Sequence, residues 1–157
     1  MADLHAQDFV RWTEEQASAL RQAARAGANL PVDWENVAEE IESLGISQMH
    51  ELRSRIAVII EHLLKLECSP GREPRAGWMV TIGRERAAIE RLFEDSPSLR
   101  GAAPDLVTAE LPRSVREVGR TLRLYGDASP ESSAKLAAAR YTEDQVLGEW
   151  FPGEPEA

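Results

Sequence analysis

The stretch "SQMHELRSRIAVIIEHLLKLECSP" leaves this chain few choices of fold. In it Met49, Leu52, Ile56, Ile59, Ile60, Leu63 and Leu66 recur every three or four residues. That spacing lines one face of an α-helix, whereas a strand would alternate its faces. A face this apolar needs cover, so the rest of the chain must supply helices with matching stripes. Candidate stripes are Phe9, Trp12, Leu20, Ala23 and Ala24; Trp34, Val37, Ala38, Ile41 and Leu44; Trp78, Ile82, Ile89, Leu92 and Phe93; and Leu106, Leu111, Val115, Val118 and Leu122. No β-rich alternating segment and no internal repeat interrupts them. The expected fold is all-α, a compact helical bundle of about four main helices with a short C-terminal helix. The expected inner residues are Trp12, Trp34, Ile41, Leu52, Ile56, Ile59, Leu63, Trp78, Ile82 and Ile89.

Local signals place the breaks. Gly27 is a plausible helix stop, and Pro31 disfavours helix at Leu30. Asp33 is suited to cap the helix that follows. Gly45 reads as an end or an interruption, with Ser47 available to cap the next piece. "DSPSLRG" reads as a turn. Pro112 should kink its helix or start a second piece. Ser129 with Pro130 marks a short helix, and Thr142-x-x-Gln145 has the capping-box pattern. A chain of 157 residues is most simply one domain, spanning 1–157 with its core at 8–152 and a frayed acidic tail at 152–157.

Charge is unevenly placed along the chain, whose net value is −9. Residues 1–69 carry six basic and twelve acidic side chains, while residues 70–123 carry ten arginines against eight acids. Residues 124–157 return to acidity, with two basic and seven acidic side chains. Such a chain can neutralise itself by packing its acidic and arginine-rich parts together. Its overall acidity argues against nucleic-acid binding, which needs a basic footprint. No apolar run approaches the roughly 18–20 residues that cross a bilayer, and no secretory signal is visible. The lone Cys68 fits a reducing cytoplasm. A cytoplasmic location is therefore expected.

"DWENVAEEIESLG" holds the densest run of acids. Glu35, Glu39 and Glu42 fall at i, i+4 and i+7, so a helix stacks them on one side. Metal ligation is a weak reading: Glu39-x-x-Glu42 is present, but no Glu-x-x-His step accompanies it. With a hairpin at Gly45, His62 lies roughly 20 Å from Glu42, and with a straight helix about 30 Å. His50 is within reach only under the hairpin, so no metal and no cofactor are expected. Arginines are the better partners, because a planar guanidinium donates two parallel hydrogen bonds to a carboxylate. Under the hairpin Glu39 reaches Arg53, and Arg84 and Arg86 approach from another helix. His62, on the border of an apolar stripe, is a hydrogen-bonding residue more readily than a general base. Cys68 has no basic neighbour to activate it, and no glycine-framed serine presents a nucleophile.

The segments "DFVRWTEEQASALR", "DWENVAEEIESLG", "RIAVIIEHLLKLE", "GWMVTIGRERAAIERLFEDSPSLR" and "YTEDQVLGEWFP", in this order, resemble the bacterial domain of unknown function 29 family over roughly residues 8–152. The resemblance implies an all-helical, bacterial, soluble protein and carries no activity with it. No complete catalytic set is visible. The expectation is thus a cytoplasmic helical binding or interaction module whose partner is protein, itself or another, with no nucleic acid and no membrane. The alternative is a small-ligand-binding protein or enzyme. It would use the Glu35/Glu39/Glu42 stripe with a nearby arginine or His62, and Arg53, Arg84 and Arg86 complete that candidate polar network.

Overall fold

A computed structural model of the chain describes residues 3–71 and 74–153. Most of the expected acidic tail, residues 154–157, lies outside the described residues. The fold is all-α. Its helices are α1 (Leu4–Gln7), α2 (Phe9–Arg25), α3 (Trp34–Cys68), α4 (Arg75–Asp95), α5 (Ala103–Tyr125), α6 (Pro130–Ala138) and α7 (Glu143–Leu147), with a 3-10 helix at Pro97–Ala102. Contacts gather the chain into two compact units. The first holds the residues up to Leu52 with Glu90–Gly101, and the second holds Arg53–Ile89 with the residues from Ala102 onward. Helices α3 and α4 contribute residues to both.

The hairpin at Gly45 is not formed. A single helix of 35 residues, α3, continues through it. Thr13 explains the glycine: a Cβ at position 45 would overlap Thr13 Oγ1. That hydroxyl is fully buried and donates to the Val10 carbonyl at 2.7 Å. Gly45 therefore lets α2 and α3 approach closely, and tertiary packing outweighs the cost of about 1 kcal/mol of a glycine inside a helix. Ser47 correspondingly caps nothing; its hydroxyl donates back to the Ser43 carbonyl at 2.9 Å. Pro112 likewise sits inside one continuous helix, α5.

In the first unit Asp8 caps α2, accepting from the Arg11 amide at 3.0 Å. The same carboxylate accepts from the Ser98 amide and hydroxyl at 2.8 and 2.9 Å. Ser96 Oγ accepts from the Val10 amide at 3.2 Å and donates to Gln48 at 2.8 Å. The "DSPSLRG" stretch is thus a polar clasp as well as a turn. Val10, Ala17, Ala38, Leu52, Leu92, Phe93 and Leu99 fill the apolar interior.

The second unit is the more apolar. Ile56, Ile59, Ile60, Leu63 and Leu64 of α3 are fully buried with Ile82 of α4, and Val118 and Val146 come from α5 and α7. The Ser129 and Thr142 capping boxes are both formed. Trp12, Trp34, Ile41 and Trp78 are half-buried, while the other six expected inner residues are buried. Val37 and Leu44, placed on the inner stripe by their spacing, are 38% and 50% exposed. Among the described residues no helix is long and apolar enough to cross a membrane.

Candidate functional site

The acidic stripe faces an arginine that the spacing argument did not name. Arg21, from α2, donates from Nη2 to Glu42 at 2.7 Å, and its Nε lies 3.8 Å from Glu35. Glu39 is exposed and acts on the same guanidinium through charge alone. The hydrogen bond from Arg21 holds the Glu42 carboxyl below its ordinary range, and Glu42 raises Arg21 in return.

None of the arginines expected beside the stripe pairs with it. Arg53 stands 14 residues beyond Glu39 on the same continuous helix, a rise of about 21 Å that excludes the contact. Its Nε instead lies 3.4 Å from Glu110, a carboxylate with only 10% of its side chain exposed. Arg84 is exposed and makes no ion pair among the described residues. Arg86 donates to three carbonyls: Val146 and Gln145 at 2.9 Å each and Trp150 at 2.8 Å. Two of those carbonyls end α7, where no further turn exists to satisfy them. The guanidinium carbon also lies 4.9 Å from the centroid of the Phe151 ring. Burial lowers the Arg86 pKa. The structure thus brings Glu35, Glu39 and Glu42 together around Arg21, and it does not join them to Arg53.

His62 is half-buried, and its Nδ1–H donates to the Val58 carbonyl at 2.8 Å. Burial lowers its pKa, so the neutral ring is favoured. Burial pushes the Cys68 thiol up to about 11, which leaves it protonated and inert at neutral pH. Burial, and then a 2.6 Å hydrogen bond to Glu67, raise the Tyr141 phenol. No group of three or more His, Cys, Asp or Glu side chains is placed to hold a metal among the described residues.

A concave surface of the second unit lies between α5 and α6. It is a groove of about 480 Å³ with an apolar floor that includes Val115, Leu122 and Leu136. Along it stand Arg116, Arg120 and Arg123. Their spacing of i, i+4 and i+7 puts all three on one side of α5. All three are exposed. Arg120 has Glu117 at 3.7 Å, whereas Arg116 and Arg123 make no ion pair among the described residues. Gly119 lies in the same lining, where an added Cβ would make ordinary van der Waals contact with Leu136 and Arg123.

The family described as "Domain of unknown function DUF29" matches residues 4–151. The chain belongs to the DUF29 family. Its fold is also that of an α-helical protein of unknown function from Rhodospirillum rubrum, with a TM-score of 0.68 at 22% identity over 97% of this chain and 99% of that one. No curated protein matches. In this DUF29 chain three features escaped the reading by spacing: the Arg21 hub, the buried Glu110 and the α5 arginine row. The row itself was legible as "RSVREVGRTLR". Its meaning depends on α6, whose Leu136 completes the apolar floor of the groove.

Proposed function

We propose that this DUF29 domain is a protein-interaction module that takes an acidic amphipathic helix of a partner protein into the α5–α6 groove. The observation that supports this most directly is the arginine row beside an apolar floor. A chain of net charge −9 has many carboxylates with which to neutralise three arginines, yet two of these stand without one. The apolar floor calls for Leu- or Val-like side chains, and the guanidinium rim calls for Glu or Asp one turn apart. The row spans eight residues of α5, a rise of about 10.5 Å over its seven steps, which matches two turns of a helix laid alongside. The same net charge makes copies of this chain repel one another, so a different protein is the better occupant. The inert Cys68 thiol and the hydrogen-bonded His62 favour binding over catalysis as the role of this domain.

The test uses a synthetic helix with glutamates on one face and leucines on the other. Titration by fluorescence anisotropy should give saturable, salt-sensitive binding. The reversal Arg116→Glu/Arg120→Glu/Arg123→Glu should weaken it by at least about tenfold while the melting temperature stays near wild type, since all three positions are exposed. Equal binding by the reversed variant would remove the groove from consideration. Tighter binding of a short oligonucleotide than of the peptide, or self-association abolished by the reversal, would overturn the assignment of the occupant.

A further inference from the structure

A second concavity in the same unit has different chemistry. It is a cleft of about 360 Å³ formed where the last turn of α3, the start of α4 and the end of α5 meet. Trp78 and Tyr125 supply aromatic surface, and Leu122 lies between them in sequence and forms part of its lining. Trp78 is half-buried, and Tyr125 is 78% exposed although it is a large aromatic residue. Two opposite charges, Lys65 and Asp127, line the same cleft. They make no ion pair with each other; Lys65 acts on Glu61, one turn back on α3, through charge alone, and Asp127 has no ion-pair partner among the described residues. Asp127 is brought there by the end of α5. Gly126 adopts a left-handed φ of 76° and the Asp127 amide donates to the Leu122 carbonyl at 2.8 Å, which turns the chain back over the helix.

An ammonium and a carboxylate held apart in one cleft, beside two aromatic rings, match a ligand carrying the reverse charges and a ring of its own. We propose that this cleft binds an aromatic α-amino acid, with Lys65 taking the carboxylate, Asp127 the ammonium, and Trp78 and Tyr125 flanking the ring. The cleft lies at the small end of ligand pockets, which suits a free amino acid better than a nucleotide or a peptide. An anion alone would leave Asp127 opposing it, and a cation alone would be repelled by Lys65. This site is independent of the arginine groove, and reversal of the groove arginines should leave it unchanged.

Three probes separate the two charged contacts: L-tryptophan, indole-3-propionate, which lacks the ammonium, and tryptamine, which lacks the carboxylate. Titrations followed by NMR on the full chain should show saturable binding of L-tryptophan with Kd about 1 mM. Both analogues should bind more weakly. Lys65→Met should weaken L-tryptophan and indole-3-propionate by about tenfold and spare tryptamine. Asp127→Asn should weaken L-tryptophan and tryptamine and spare indole-3-propionate. Tyr125→Ser, at an exposed position that does not threaten folding, should weaken all three. Absence of saturation by L-tryptophan, or charge variants that affect the three probes alike, would overturn the assignment.

Discussion

Arg86 and Arg21 are both half-buried at the level of the residue, and both bind groups from another helix, yet they work differently. Arg86, in the second unit, has no carboxylate in contact and serves three backbone carbonyls under the Phe151 ring. Arg21, in the first unit, serves carboxylates whose side chains are 41% and 61% exposed. Water can replace Arg21 at those carboxylates, because they reach solvent already. Carbonyls at the end of a packed helix are harder to rehydrate without undocking the segment that carries them. The same residue type is therefore a fastening in one unit and an accessory in the other. In the first unit the close approach of α2 and α3 rests on Gly45 and Thr13.

The largest effect should come from breaking the fastening. Arg86→Met removes three hydrogen bonds and leaves carbonyls near α7 without donors, a loss of about 2–4 kcal/mol in urea denaturation. Arg86→Lys should recover only part of it. An ammonium is a compact point donor and cannot reproduce the planar fork or its stacking on Phe151. Exposed amides of residues 143–151 should exchange faster in the variant than those of α3. A loss below half a unit would show that the C-terminal segment is held by Val146 and its apolar neighbours alone.

The second effect concerns the close approach, and it marks the limit of what spacing can tell. Helical periodicity identified the stripes of α3 and α4 because apolar side chains must share a face whatever they pack against. The capping signals at Ser129 and Thr142 were legible for a similar reason, as each is completed within three residues. Gly45 was not legible. A glycine reads as a helix stop until Thr13, distant in sequence, is known to occupy the space of its missing Cβ. Val37 and Leu44 were misplaced because a period shows which residues share a face and leaves open how far the cover extends. The partner of the acidic stripe was obscured in the same way: ten arginines in the middle of the chain drew attention from the one on α2. Gly45→Ala tests this account with a substitution that favours helix by about 1 kcal/mol. The clash with Thr13 should override that gain and give a net loss of about 1–2 kcal/mol. Thr13→Ala removes the obstructing hydroxyl, so the double variant should be more stable than the sum of the single changes predicts. Strict additivity would mean that the helices shift apart without cost.

The smallest effect belongs to the accessory contact, and its sign is set by titration. The Arg21 hydrogen bond holds the Glu42 carboxyl below its reference value of 4.5 in the folded chain. A carboxyl depressed by folding adds stability above its unfolded pKa and loses it as pH falls through the folded one. Wild type should therefore exceed Glu42→Gln in urea midpoint near neutral pH, and the gap should close as the pH is lowered below about 4.5. Salt should narrow the gap as well, because both partners reach solvent. Comparing the two proteins at each pH cancels the titration of the other carboxylates, which both chains share. Arg21→Met should show the same neutral-pH loss closing in acid, and Glu42→Gln should add no further pH-dependent loss in its background, whereas in an Arg53→Met background the Glu42→Gln gap should persist, since Arg53 serves Glu110. A gap that persisted unchanged into acid would mean that Glu42 contributes through packing against the α2–α3 seam. The distinction between the two arginines would then rest on the Arg86 contacts alone.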